Sequence, residues 1–302
     1  MPSFSATVKQ ELCRVPIKRP CCAQAECYGA LLLGNTFRAE ELRILTSHTA
    51  FAERLLPLFE AAFGFCPPAP ARPEQGGKWL FSVTQRERVG PVRAAYGYGA
   101  GNDTVLHLNN AVLEQDCCQA AFWRGAFCSG GTVTDPLKKY LLEIITPHRV
   151  LARELCALLR ESGLEAALGE RSGVQVLALK VSEAIEEFLA LTGASLASMD
   201  VMQAKMEKEI RNRVNRRVNC DTANVDKTLA AAERLRGVIK RLERSGRMDS
   251  LPEALKETAR VRVTYPEDSL AQLADRLGVS KSCLNHRLRK LAELEGSYER
   301  RG

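Results

Sequence analysis

Apolar positions three and four residues apart, separated by short alternating runs, organise the first two hundred residues of this chain. An apolar helix is predicted from CCAQAECYGALLLGNTF at residues 21–37, ending at Gly34, and another from CCQAAFWRGAFCSGGTV at residues 117–133, ending at Gly130. Glycine at such an end permits a left-handed helix cap. A strand pair follows each helix, 36–37 with 42–45 and 132–133 with 140–145. Amphipathic helices come next at 50–63 and 149–162. Two more strands are expected in each stretch, 79–83 and 105–108 in the first, 164–168 and 174–179 in the second. PPAPARPEQGG, between Pro67 and Gly77, reads as a loop, and residues 181–191 close the second stretch as a helix.

The two stretches are copies. Ala25 and Ala121, Gly29 and Gly125, Ala30 and Ala126, and Gly34 and Gly130 all lie 96 residues apart, whereas Thr46 and His48 match Thr146 and His148 at a spacing of 100. Self-similarity of this kind means one structural unit used twice. The predicted unit is α-β-β-α-β-β-α, over residues about 15–112 and 113–203 of a domain spanning 1–203. The small residues Gly29, Ala30, Gly125 and Ala126 would let the two opening helices approach closely. The shared position of His48 and His148 suggests a common structural role, such as a capping turn.

A different pattern follows. Residues 204–224 form a basic linker, with Asn212, Asn215, Arg216 and Asn219 on one helical face, Lys208 beside them, and Ile210, Val214 and Val218 opposite. That polar stripe suits phosphate and base contacts, or else the valine face packs onto a domain and the rest is solvated. Residues 225–302 read as a helical domain. An amphipathic helix at 226–243, capped by Asp226 or Asn224, carries Leu229, Leu235, Val238, Ile239 and Leu242 on one stripe. A helix follows cap Ser250 with Pro252 in its first turn. Ser269 and Gln272 then make a capping-box pattern, Leu270, Leu273 and Ala274 face inward, Gly278 turns the chain, and Ser280 starts a helix that buries Leu284, Leu288 and Leu291. Helix, short glycine turn and helix make a helix-turn-helix pattern. The second helix would enter the major groove, presenting Ser280, Lys281, Ser282, Asn285, His286, Arg287, Arg289 and Lys290. A helical hairpin for protein contact is the competing reading.

Charge sharpens the division. Residues 1–202 hold 20 Lys+Arg against 21 Asp+Glu, and residues 203–302 hold 23 against 15. A basic module joined to a near-neutral one suggests a polyanion reader with a second function. No apolar run is long enough to span a bilayer, and the eleven cysteines fit reduced, mostly buried thiols in a cytoplasmic protein better than a disulfide scaffold. The pairs Cys21-Cys22 and Cys117-Cys118 would lie together if the repeats share a pseudo-twofold axis. Adjacent cysteines diverge, however, so a structural role seating two helix starts is expected rather than a metal site.

The CC pairs, RGAFCSGGTVTDP, RNRVNRRVNCDTAN and VSKSCLNHRLRKL together resemble the WhiA family of bacterial regulators along essentially the full length. The resemblance implies an α+β fold: a duplicated LAGLIDADG homing-endonuclease-like domain followed by an all-α helix-turn-helix domain. In active endonucleases of that superfamily the opening helices end in acids that hold divalent cations. The matching positions here are Gly34 and Gly130, with Leu32 and Cys128 at the other motif acid, so no catalytic residues, metal or cofactor are expected. Asp135 and Glu143 are nearby acids of one repeat only. The expected function is a non-enzymatic, sequence-specific regulator of transcription that binds double-stranded DNA at the nucleoid, with a protein co-regulator as a further partner and no small-molecule substrate. The family resemblance implies roles in cell division, chromosome segregation and sporulation. A division adaptor with incidental DNA binding, or a homing endonuclease or maturase, are the rival readings.

Overall fold

A computed structural model describes residues 2–72, 77–99 and 105–299, with side chains to 294. Part of the predicted loop between Pro67 and Gly77 lies outside the described residues. Two compact units divide after residue 209.

The first unit is α+β. Its helices are α1 (Phe4–Leu12), α2 (Pro20–Leu32), α3 (Thr49–Phe63), α4 (Arg86–Ala95), α5 (Asp116–Gly130), α6 (Arg149–Glu161), α7 (Ser182–Thr192) and the start of α8 (Ser195–Arg244). Strands β1 (Thr36–Phe37), β2 (Leu42–Thr46) and β3 (Trp79–Val83) form one antiparallel sheet in that order. Strands β4 (Gly131–Val133), β5 (Leu142–Thr146), β6 (Ala167–Arg171) and β7 (Val174–Leu179) form another, ordered β4-β5-β7-β6.

α2 and α5 lie side by side at the centre of the unit, pointing the same way. A Cβ on Gly29 would collide with the Phe122 carbonyl and sit 2.8 Å from the Ala126 amide. One on Gly125 would collide with the Glu26 carbonyl and sit 2.9 Å from the Ala30 amide. The two contacts are mirror copies, 96 residues apart, and only glycine permits them. Gly34 and Gly130 do not form left-handed caps as expected. α2 ends on Leu33 at φ −97°, and α5 runs through Gly130 into Gly131 at φ −94°. Close packing explains them instead: a Cβ on Gly130 would lie 3.0 Å from the Ile145 carbonyl and 3.1 Å from the Leu33 Cβ.

Strand registers reveal the duplication. Leu42 pairs with Val83 and Thr46 with Trp79, while Leu142 pairs with Leu179 and Thr146 with Gln175. β3 is therefore the copy of β7, and α4, the closing helix that the repeated unit calls for but that was given no residues in the first copy, is the copy of α7. Among the described residues, the counterpart of β6 is one bridge, Ala71 with Leu80. Residues 105–108, expected as a strand, join neither sheet. Side chains satisfy this segment's backbone: Tyr28 Oη donates to the His107 carbonyl (3.0 Å) and accepts from the Asn109 amide (2.7 Å), and Glu154 Oε2 accepts from the Leu108 amide (2.7 Å). β6 starts at Ala167 rather than 164, and Ser172 and Gly173, both at positive φ, turn it into β7. At the repeated Thr-x-His, Thr46 and Thr146 Oγ1 accept the amides of His48 and His148 (3.0 and 3.3 Å), and each histidine leads into the following helix.

One buried carboxylate and its two arginines tie five segments together. Glu26 Oε2 accepts from Arg54 Nη2 and Arg124 Nη1, both at 2.9 Å, with all three residues under a tenth exposed. Arg54 Nη1 also donates to the Cys13 and Val15 carbonyls (2.9 and 2.7 Å), and Arg124 Nε to the Thr192 carbonyl (2.8 Å).

In the second unit, α8 brings Val238, Ile239 and Leu242 against Leu255 and Ala259 of α9 (Glu253–Thr264) and Leu291 of α11 (Lys281–Glu299). A second cluster joins Leu273 and Ala274 of α10 (Leu270–Arg276) to Leu284. Leu288 packs against both. Several expected caps are not used. α8 is one unbroken helix of 50 residues, so Asn224 and Asp226 lie within it, and Leu229 is 41% exposed rather than on the buried stripe. Ser250 ends a short 3-10 turn. Leu251, extended before proline, delays α9 until after Pro252.

Two outcomes are expected in thermal and denaturant unfolding of the full chain. Gly125→Ala should destabilise the first unit by about 1–3 kcal/mol or more through forced helix separation, while Gly169→Ala, where a Cβ meets open space, should not. Glu26→Gln, which leaves two buried guanidinium groups short of a counter-charge, should cost about 3–5 kcal/mol.

Candidate nucleic-acid interface

The helix-turn-helix is fixed from its caps upward. Gln272 N donates to Ser269 Oγ (3.3 Å) and Ser269 N to Gln272 Oε1 (2.8 Å), completing the capping box that starts α10. Gly278 takes φ +61°, and the Val279 amide returns to the Ala274 carbonyl (3.0 Å), seating Val279 on the small apolar cluster. Ser280 Oγ then accepts the Cys283 amide (3.2 Å) and caps α11. With Leu284 and Leu291 buried, the opposite face of α11 is turned to solvent.

That face carries most of the predicted contact residues. Lys281, Ser282, Asn285, His286, Arg289 and Lys290 are exposed, and Ser282, Asn285, His286 and Arg289 follow helical spacing along one stripe. Two residues depart from the expectation. Arg287 is half-buried and reaches back to α9, with Nη1 3.5 Å from the Ala254 carbonyl, so it belongs to the packing of the unit. Arg289 Nε pairs with Glu293 Oε1 at 3.1 Å, an exposed i,i+4 contact of the weak kind that a phosphate or base could displace.

Asn212, Asn215, Arg216 and Asn219 of the basic stretch are all exposed on α8. Ile210, Val214 and Val218 are 59%, 54% and 54% exposed, so the apolar face is not packed onto a domain. Lys208 is separate from this stripe: its Nζ donates to the Pro136 carbonyl (2.6 Å) and lies 4.1 Å from the centre of the Tyr140 ring.

In the first unit, Gly34 and Gly130 lie at the adjacent ends of α2 and α5. The nearby acids are engaged elsewhere: Asp135 Oδ1 accepts the Leu137 amide (2.9 Å), and Glu143 pairs with Arg171 across the sheet (3.2 Å). Lys9 Nζ donates to the Cys128 carbonyl at 3.0 Å, and burial pulls its pKa down. The opposite ends of the two helices hold Cys21, Cys22, Cys117 and Cys118. Their four sulfur atoms all lie within 4.8 Å of one another, an association that the divergence of adjacent side chains argued against. Burial raises the thiols of Cys22 and Cys118 to about 11 and about 12, while a hydrogen bond from Cys22, with Arg19 adding to it, holds Cys117 below its usual value.

Comparison with known proteins agrees with this architecture. Residues 119–211 match the model of the WhiA LAGLIDADG-like domain, and residues 214–295 that of the WhiA C-terminal HTH domain. A protein of Ruminiclostridium cellulolyticum named "Probable cell division protein WhiA" is 36% identical, with the match covering 97% of this chain and 96% of its own. A protein of the same name from Moorella thermoacetica is 38% identical over 96% of this chain and 90% of its own. The crystal structure of full-length WhiA from Thermatoga maritima superposes with a TM-score of 0.60 at 20% identity, covering 97% of this chain and 98% of that one. Matched in both domains and nearly end to end by such relatives, the chain belongs to the WhiA family.

Proposed function

We propose that this protein is a non-enzymatic, sequence-specific DNA-binding regulator of transcription that acts in cell division, with chromosome segregation and sporulation as associated processes. The observation that carries the reading is the solvent-facing stripe Ser282, Asn285, His286 and Arg289, held on a capped helix by two apolar clusters. Asparagine can bond adenine through two hydrogen bonds and arginine guanine, so the stripe has the chemistry for base readout. Lys281 and Lys290 flank it and suit phosphates, as do Asn212, Asn215, Arg216 and Asn219 on α8. The relatives' names supply the connection to division.

Cleavage of DNA does not belong to this reading. Gly34 and Gly130 bring no carboxylate to a cation, and the neighbouring Asp135 and Glu143 are bound to other partners. The exposed apolar positions Ile210, Val214, Val218, Val225 and Leu229 favour a protein co-regulator on the second unit, and so give the adaptor reading a physical basis of its own.

Selection from random duplex DNA by the full-length protein near physiological salt, with Mg²⁺ present, is expected to return a defined motif. Asn285→Ala and Arg289→Ala should each weaken binding to that motif by about 1–3 kcal/mol and relax one base position. Lys281→Ala should weaken all sequences alike and reduce the salt dependence, and Arg287→Ala should leave sequence preference unchanged. Absence of a motif at this salt would move the adaptor reading to first place. Supercoiled plasmid should stay intact with Mg²⁺ or Mn²⁺; nicking by the purified protein would refute the non-enzymatic reading.

A further inference from the structure

We propose that Cys21, Cys22, Cys117 and Cys118 form a mononuclear tetrathiolate site for a soft divalent ion, zinc above all, joining the two repeats of the first unit. The site stands apart from the DNA-binding reading and lies on different residues.

Geometry is the first support. Four sulfur atoms within 4.8 Å of one another span little more than the edge of a zinc tetrathiolate, about 3.8 Å at a Zn–S distance of about 2.3 Å. One ion fits this span; the thiolates around a multi-iron cluster stand farther apart. The separation of adjacent cysteines, which disfavours a site made from one pair, ceases to be an objection when each pair supplies half of the ligands. Cys21 matches Cys117 and Cys22 matches Cys118 at the 96-residue spacing, so the group straddles the axis relating the repeats. A tetrahedron contains a twofold axis of its own, and two equivalent pairs meet its symmetry.

Charge is the second. Four thiolates around a divalent cation carry two net negative charges. The cluster sits where α2 and α5 both begin, and the two helix N-termini each bring about half a positive charge. Arg19 adds a full one, with Nη1 4.0 Å from Cys117 Sγ. The donor set then selects the ion: thiolates favour zinc and similar soft metals over magnesium or calcium, which require oxygen. Cys118 is buried and the other three are half-buried, so an ion can enter without unfolding the unit.

The site also differs in place and chemistry from a nuclease centre. It lies at the starts of α2 and α5, about 20 Å along the helices from Gly34 and Gly130. Metal here would tie the repeats together at the end where no glycine contact holds them.

The test uses the full-length chain, reduced, stripped of metal and then titrated anaerobically with Co²⁺ or Zn²⁺. Expected are one metal ion per chain, the visible absorption of tetrahedral cobalt–thiolate, its loss when zinc is added, and a higher melting temperature in the zinc-loaded protein. Cys117→Ser removes one ligand at a half-buried position and should weaken cobalt binding more than about tenfold, since even outer-shell changes at metal sites cost that much. Cys66→Ser and Cys220→Ser, at exposed cysteines elsewhere, should leave binding unchanged. If Cys22→Ser combined with Cys118→Ser unfolds the chain, the single Cys117→Ser variant still decides. Absence of the cobalt–thiolate spectrum in folded wild-type protein would overturn the proposal. So would an undiminished spectrum in Cys117→Ser, or isolation of the four cysteines as two disulfides with no metal uptake after reduction.

Discussion

The backbone contact between α2 and α5 sets the plan of the first unit. Helices usually pack through side chains at 8–10 Å, but here the turns at Gly29 and Gly125 face carbonyl and amide atoms directly. Such proximity leaves one register and one direction for the helix pair. It fixes the beginnings of both helices beside each other, bringing two Cys-Cys pairs into one group, and it fixes their ends beside each other at Leu33 and Gly130. The sheets that follow repeat the same plan, β2–β3 and β5–β7 keeping one register across the duplication.

Around this shared contact the two halves have diverged by exchanging charge. Arg54 and Glu154 occupy equivalent places, 100 residues apart, and each secures the segment leading into its half's opening helix. Arg54 donates to the carbonyls of Cys13 and Val15, while Glu154 accepts the amide of Leu108 and faces His107 Nδ1 at 3.1 Å. The same geometric task, met with opposite charge, has opposite backbone partners. Only the first solution is fully buried, and its counter-charge is Glu26, which it shares with the neighbouring repeat's Arg124.

Much of this was legible from the chain because it rests on local chemistry or on repetition. The 96-residue spacing exposed the duplication, and the capping box, Gly278 and the leucine spacing of α11 specified the helix-turn-helix down to individual hydrogen bonds. What escaped depends on distant partners. Gly90 and Pro91 interrupt the pattern of α4, which is held by burial of Val89 and Val92 against the core. Residues 105–108 have the alternation of a strand, yet Tyr28 and Glu154 meet their backbone groups where a strand would have. The four cysteines could be associated from sequence only by assuming a symmetry axis, and the directions of adjacent side chains at a helix start are not written in their spacing. Arg287 looks no different from Arg289 in sequence, and only the position of α9 separates them.

The first helix has a consequence for how the chain is made. α1 buries Val8 and Leu12 completely, its Lys9 reaches Cys128, and its Glu11 carboxylate accepts the amides of Leu196 and Ala197 at 2.7 and 3.0 Å. During synthesis α1 emerges well before the groups that receive it. At about 5–20 residues per second, Leu196 follows Glu11 by roughly ten seconds to half a minute. The elements that cover the apolar side of α1, namely α3, α5 and β4, appear within that interval, but the Glu11 carboxylate gains its amide partners only at Leu196 and Ala197, which makes closure of the first unit a late event in translation.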